Sequence, residues 1–422
     1  MEQGTGKSFP ILYRISELIE QGKIRNAVIV APKAVMSSWH NKIEQLDKEL
    51  KAPFEHFRLD IVSYDSLWRD KYKNLLWDCV VLDEAHYIKN YKAKRTKACL
   101  KKCQRAKYRY ILTGTPTSNG QLCNLYSLSA AIYPTTDTKN VYPVLFDGMS
   151  YSRWLNKYAY LNQYYQPWKY HNVDELQARI KAYSYRVTKV ECLDLPSQLP
   201  NEVWTVDMNA KQKSLYKNIA KESADIEHDI LADNPLVRSL RLRQIASGFV
   251  GNDKDEIIEL NSTKTKTVID YLKEREKKTV IFCEFRHSID SLSSELNKAK
   301  IKHVIIDGRI RDKEVSQKFQ SNKSLKVCIC QYASGSAGID LYEADTIIFY
   351  EPTLSSNLHE QARDRIHRIG QRQCCSYYYL MTKGSIEFAI YQALNNYSDF
   401  NKQLFTQYLS TYTKGENLND RL

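Results

Sequence analysis

Short apolar runs rich in β-branched residues alternate with stretches of helical periodicity along most of the chain. In the first half AVIVAP (27–32), LDIVSY (59–64), CVVLDEAH (79–86) and YRYILTGTP (108–116) predict strands. Residues 35–49, 91–105 and 120–132 predict helices between or after them. The second half repeats the pattern. Strands are expected at 279–285, 302–307, 326–331, 346–352 and 375–381, and helices at 287–299, 312–321, 356–369 and 385–397. Runs that are apolar at nearly every position suit parallel sheets covered by helices on both faces. The expectation is an α/β protein with two parallel-sheet domains of similar make-up.

Between about 150 and 250 the alternation stops. A Tyr/Trp-rich segment runs from Tyr151 to Tyr170, a proline-marked break falls at Asp194–Pro200, and helices are expected at 210–232 and 235–247. All six tryptophans precede residue 205, so the halves differ in content. The domain reading is a first α/β domain at 1–195 and a helical linker or insertion at 196–262. A second α/β domain follows at 263–400, then a polar tail at 401–422 that is expected to fray.

Composition narrows the classes. The 422 residues are 43% hydrophobic and 26% charged, which excludes a largely disordered chain. No apolar run approaches the roughly 18 residues of a membrane span, and the opening Met1-Glu2-Gln3-Gly4 is no signal peptide. The expectation is a soluble, intracellular protein with no membrane partner: cytoplasmic (nucleoid), or in a virion or host cytoplasm if phage or viral. The net charge of +13 is uneven, with 30 basic and 19 acidic residues in 1–195. Ten Lys/Arg and no acid lie between Lys89 and Arg109. Such an excess suits nucleic acid, and a solvated helix face is the alternative for the run itself. The ten cysteines form no C-x-x-C pair, and several sit inside apolar runs, as buried small hydrophobes do.

Two motifs carry chemistry. Gly4-Thr5-Gly6-Lys7-Ser8 before a helix reads as a phosphate loop, whose amides and helix N-terminus wrap phosphates. Lys7 would reach the β/γ oxygens and Ser8 would ligate Mg²⁺; a terminal turn is the bland alternative. Asp83 and Glu84 end an apolar strand, where Asp83 would hold Mg²⁺ and Glu84 would orient and deprotonate the attacking water.

At DEAHYIKN (83–90) the chain resembles the Swi/Snf-type ATPases of helicase superfamily two. ILTGTPTSNGQLCNLYSLSAAIYP (111–134) resembles that family's third motif, and SYRVTKVECLDLP (184–196) the segment closing its first lobe. VIFCEF, DGRIRDKEVSQKFQ, ASGSAGIDLYEADTIIFYEP and QARDRIHRIGQ (361–371) resemble its second-lobe series. The likeness spans about residues 1–395.

The resemblance implies two RecA-like parallel-sheet lobes with helical insertions between them, binding ATP in the cleft between the lobes and DNA across both. It implies an ATP- and Mg²⁺-dependent ATPase stimulated by duplex DNA, and a translocase that does not separate strands. Gly4 to Ser8 match the nucleotide loop, Asp83 and Glu84 the acids, and Arg365 and Arg368 the arginine fingers, with Gln361 one turn earlier. On a helix, Arg365 and Arg368 would share a face. Pro32, Lys33, Ser63, Tyr64 and Ser334 to Gly338, with Gly335 between, match strand-contacting positions. Thr113, Gly114 and Thr115 match both a strand contact and a coupling motif. Asp340 matches a coupling position, and His86 is read as coupling motifs.

The chain starts inside the first motif, so the strand that should precede the loop is expected to be missing. The reasons would be a misassigned start, a fragment, or a companion chain that completes the first lobe. The expected partner is double-stranded DNA, with single-stranded DNA and a recruiting protein as further candidates. The rival readings are a strand-separating helicase and a catalytically impaired DNA-binding assembly factor.

Overall fold

The computed structural model describes residues 4–50, 54–117, 121–136, 139–309, 314–335 and 339–414. Two compact units divide the chain, Met1–Asp194 and Leu195–Leu422.

In the first unit β1 (Asn26–Ala31), β2 (Arg58–Ser63), β3 (Cys79–Leu82) and β4 (Tyr108–Ile111) form a parallel sheet in the order β2-β1-β3-β4. Val28, Val30, Val80 and Leu82 face Cys99, Leu100 and Cys103 of the helix Lys94–Arg105. The alternate residues Ala27, Ile29, Cys79 and Val81 face the other way, onto α1 (Ser8–Glu20) and α2 (Met36–Glu49). Both faces are covered, which is why the strands are apolar at every position. Two strands are shorter than their patterns. β3 ends at Leu82 because Glu84 turns the backbone left-handed, and β4 ends at Ile111 as the chain leaves through Leu112 to Pro116.

The basic run splits into two kinds of residue. Lys102 points inward, its ammonium donating to the carbonyls of Tyr72, Lys73 and Leu75. Arg109 likewise closes the carbonyls of Cys103, Ala106 and Ile132. Lys94, Lys97 and Lys101 form the exposed helix face.

The aromatic segment builds a small core of its own. Trp154 and Tyr158, on the helix Tyr151–Tyr158, pack with Tyr126, Phe146 and Leu176. An antiparallel hairpin follows, β5 (Ala159–Leu161) with β6 (Pro167–Tyr170).

The second unit opens with β7 (Glu202–Val206). Two short hairpins follow, β8 (Ala224–Asp225) with β9 (Ile230–Leu231) and β10 (Phe249–Gly251) with β11 (Ile257–Glu259). Its main sheet adds β12 (Thr279–Cys283), β13 (His303–Ile306), β14 (Val327–Gln331), β15 (Thr346–Phe349) and β16 (Ser376–Thr382). All six strands run parallel in the order β13-β14-β12-β15-β16-β7. The pattern of polar and apolar positions predicts no strand at β7, because an edge strand with an exposed flank (Glu202, Val203 and Thr205) lacks a continuous apolar run.

The helix expected at 210–232 stops at Glu222, where Ser223 takes a left-handed conformation (φ 62°) and the β8–β9 hairpin begins. Met208, Leu215, Ile219, Leu242 and Ile245 join one core with Val280, Phe282, Ile347 and Phe349. The polar tail does not fray over its described part. Residues Lys402–Thr413 are helical, Phe405 and Tyr408 are buried, and the hydroxyls of Tyr408 and Tyr216 meet at 2.7 Å. All ten cysteines are free, and those on the strands fill the two cores. Among the described residues no helix is long and apolar enough to cross a membrane.

Candidate functional site

The phosphate loop is built on two glycines with positive φ, Gly4 at 78° and Gly6 at 75°. That backbone disfavours any side chain and turns successive amides toward one side. α1 then starts at Ser8 with no side-chain cap and no acid in its first turn, so no side chain competes with an anion there, although the Phe9 amide donates to Gly6 O at 3.2 Å and Pro10 has no N–H. The Lys7 ammonium is buried with no hydrogen-bond partner among the described residues. An unpaired buried ammonium is costly, and a phosphate oxygen is the group that would satisfy it. The loop therefore fits a nucleotide phosphate chain.

Asp83 and Glu84 stand at the carboxyl end of β3. Asp83 is 8% exposed, and its carboxylate accepts from Trp39 Nε1 at 2.8 Å and from the Glu84 amide at 3.0 Å. Burial pushes its pKa up, and Glu84 adds to the rise; the Trp39 N–H and the Lys7 charge pull it back. Two carboxylates crowded in a buried place suit a divalent cation, which relieves their repulsion. Asp83 fits that task. Ser8 is engaged otherwise, because its hydroxyl accepts from Lys42 Nζ at 2.9 Å, a cation that competes with a metal there.

Glu84 holds a left-handed backbone (φ 49°, ψ 51°), an uncommon state for a residue with a side chain. Hydrogen bonds on both sides fix it: Asp83 N donates to Val30 O at 2.8 Å and Ala85 N to Leu112 O at 2.9 Å. The second bond ties the acid turn directly to the loop of Thr113, Gly114 and Thr115, where Thr115 N donates to Thr113 Oγ1 at 3.1 Å. His86 Nδ1 lies 3.1 Å from Glu84 Oε2, so His86 touches the acid itself.

Two positions read as DNA contacts are buried in this structure. Ser63 (4% exposed) and Tyr64 (1% exposed) lie inside the unit. Ser63 Oγ donates to Ser66 Oγ at 2.8 Å, and the Tyr64 hydroxyl donates to the Asp83 carbonyl at 2.7 Å. Tyr64 also stacks on Tyr87 with centroids 5.3 Å apart. Tyr64 buttresses the acid turn, whereas the Ser63 hydroxyl is tied to Ser66. Pro32 is also buried, whereas Lys33 is exposed.

In the second unit Gln361 lies on the helix Ser356–Arg363, but Arg365 and Arg368 lie beyond its end, in the irregular turn 364–370. The shared helical face expected for the two arginines is therefore corrected. They converge by another route. Arg365 donates to the Ile339 carbonyl at 2.9 Å and Arg368 to the same carbonyl at 3.3 Å. Arg365 Nε also donates to the Gln361 carbonyl at 2.8 Å, and Arg368 pairs with Asp340. Asp340 thus reaches one of the two arginines directly. Gly370 shapes the turn with φ 103°, and a Cβ there would press on the Tyr342 ring at 3.0 Å. Gln371 closes it, its side-chain amide donating to the Ala344 and Ile366 carbonyls. Ser334 is half-buried and Gly335 ends the short helix Tyr332–Gly335; Gly338 lies outside the described residues.

Pattern reading missed Trp39 and Lys42, which sit three apart on α2 and so share a face. A tryptophan in a largely polar helix was the available signal, but only the fold shows what its N–H meets.

Residues 1–248 match the SNF2-related domain family and residues 263–370 the helicase conserved C-terminal domain, which puts the protein in helicase superfamily two. More narrowly, the chain belongs to the SNF2-related family, and its two parallel-sheet units are that family's RecA-like lobes. It is similar to an uncharacterized ATP-dependent helicase of Mycoplasma genitalium, 25% identical over 96% of this chain and 40% of that protein. It is also similar to the SWI/SNF-related matrix-associated actin-dependent regulator of chromatin subfamily A-like protein 1 of Xenopus laevis. There the identity is 26%, over 85% of this chain and 37% of that protein. The chain spans about 40% of the length of these relatives. Among solved structures, the Sulfolobus solfataricus SWI2/SNF2 ATPase core in complex with dsDNA aligns at 23% identity. It covers 97% of this chain and 87% of that one, with a TM-score of 0.41.

Proposed function

We propose that this chain hydrolyses ATP under stimulation by double-stranded DNA and uses the cycle to translocate along the duplex. The observation that carries the ATPase half is the Lys7 ammonium, buried and unpartnered on a two-glycine loop, with its charge felt by the buried Asp83. Lys7 and the loop amides would hold the phosphates. Glu84, fixed in its left-handed turn, would orient a water and accept its proton. Arg365 and Arg368 would stabilise the negative charge that develops on the transferred phosphoryl group. Mg²⁺, held by Asp83, would neutralise phosphate charge when bound, and Ser8 would join it only on release from Lys42.

The DNA half rests on the family and on the basic excess of residues 1–195. Lys33 and Ser334 remain the accessible strand-contacting candidates. Retention of Lys7, Asp83, Glu84, Arg365 and Arg368 favours a working ATPase over an impaired assembly factor.

The test is steady-state ATP hydrolysis with duplex, with single strands and with no DNA, in the wild type and in Glu84→Gln. Stimulation by duplex is expected, with a fall of at least roughly a hundredfold in the variant, the usual scale for a lost general base. Stimulation by single strands alone would favour a strand-separating helicase. DNA binding with no hydrolysis under any condition would overturn the ATPase reading.

A further inference from the structure

The hairpin of β5 and β6 groups exposed aromatic side chains on the first unit's surface. Of the eight tyrosines and tryptophans in 151–170, four face inward: Tyr151, Trp154, Tyr158 and Tyr170. The other four are exposed: Tyr160 (52%), Tyr164 (71%), Tyr165 (82%) and Trp168 (67%). Large rings left in water do nothing for the fold, and grouped exposure marks a contact surface.

The tip is ordered by its own hydrogen bonds. Asn162 Oδ1 accepts from the amides of Tyr164 at 2.9 Å and Gln166 at 3.0 Å. Asn162 N donates to Gln166 O, and Tyr165 N to Asn162 O, each at 2.9 Å. Tyr165 is left-handed at φ 55°. The base is anchored as well, with His171 N donating to Tyr158 O at 3.0 Å and the Tyr170 hydroxyl accepting from Cys123 N at 3.2 Å. Tyr160 lies 6.2 Å from Trp168 and 4.7 Å from His171, ring centre to ring centre, and pairs in register with the exposed Lys169. The result is a preformed display of flat rings, so little ordering entropy opposes contact.

Charge selects the occupant. No Asp or Glu occurs from 148 to 173, and Arg153 and Lys169 are exposed cations there, while Lys157 is paired with Glu175 at 2.7 Å. A second copy would bring two basic units together, and the amide-rich tip (Asn162, Gln163, Gln166) lacks the aliphatic side chains that enter a lipid surface. Aromatic faces interleaved with cations and amides match unpaired nucleobases on a phosphate backbone. We propose that the 159–170 hairpin is a single-stranded DNA contact whose Tyr164, Tyr165 and Trp168 stack on unpaired bases. This rests on the reading of DNA as the substrate, and it assigns the hairpin to unpaired bases at a fork, gap or end.

The test uses the full chain without ATP, so that its outcome is independent of whether the protein hydrolyses nucleotide. A single-stranded oligonucleotide carrying 2-aminopurine is titrated with the wild type, with Tyr164→Ala/Tyr165→Ala/Trp168→Ala, and with Tyr164→Phe/Tyr165→Phe. Stacking is expected to quench the probe in the wild type and in the phenylalanine variant. The alanine variant should lose the quench and bind roughly tenfold more weakly for each base that loses its ring. Circular dichroism and thermal melting check that the alanine variant keeps its fold. Equal quenching by a folded alanine variant and the wild type overturns the proposal. So does an absence of quenching combined with self-association that the alanine substitutions abolish, which would make the hairpin a protein interface. Failure of the ATPase reading appears separately, as absence of DNA-stimulated hydrolysis.

Discussion

At the scale of single residues, the acid turn depends on a donor outside its motif. Trp39 Nε1 hydrogen-bonds the Asp83 carboxylate, a group whose pKa burial and Glu84 both raise. Removing that donor takes away a hydrogen bond that favours the ionised form, so the Asp83 pKa rises further. Trp39→Phe keeps most of the ring volume and removes the N–H. Activity limited by ionised Asp83 is lost as pH falls through its pKa, so the acid limb of kcat should move to higher pH in this variant. A structural role alone would lower the melting temperature and leave the profile in place, so pH–rate curves for both proteins decide the matter.

At the scale of elements, the turn 364–371 and the helix before it carry two tests. Gly370 combines φ 103° with a ring 3.0 Å from any Cβ, so Gly370→Ala must shift Tyr342 or the turn. The expected cost is about 1–3 kcal/mol. Hydrolysis should fall along with the melting temperature, because the same turn places Arg365 and Arg368; an unchanged melting temperature would contradict the strain argument. His359 sits on the preceding helix, fully buried against Phe349, Tyr379 and Tyr391. Burial pushes its pKa down to about 3, with the Arg363 charge assisting. The unfolded chain takes up this proton near pH 6.5 and the folded chain does not. Its effect is therefore absent above pH 6.5 and destabilises the fold progressively as pH falls toward 3, by at most about 1.4 kcal/mol per pH unit. Urea unfolding at several pH values should show a flatter dependence over that window in His359→Gln than in the wild type.

At the scale of the whole molecule, charge distribution sets the expected behaviour on DNA. Residues 1–195 carry nearly all of the +13 net charge, and part of that excess is internal, as Lys102 and Arg109 cap carbonyls. Duplex affinity should fall with salt as counterion release requires. For about six phosphate contacts the loss is roughly a thousandfold between 50 and 200 mM salt. A duplex affinity indifferent to salt would remove the electrostatic basis of the DNA reading.

The two α/β halves, the two-glycine loop before a helix, the acid pair and the arginine-bearing string were legible in the sequence, because each is a local pattern. An apolar run buried on both faces, or a glycine-rich loop before a helix, leaves its mark on consecutive residues. What consecutive residues do not record is which distant group meets which. Ser63 and Tyr64 lie next to a strand end like any surface contact, and only packing turned them inward, Tyr64 to brace Asp83 and Ser63 to meet Ser66. β7 joined the second sheet because β16 offered it an edge, a partner 176 residues away in register that no local pattern announces. Arg365 and Arg368 converge through the Ile339 carbonyl although the helix had already ended. The sequence by itself determined which chemical groups are present and which segments bear them. The tertiary structure decided which of them face one another, because burial and hydrogen bonding across the sheets, not spacing along the chain, set those contacts.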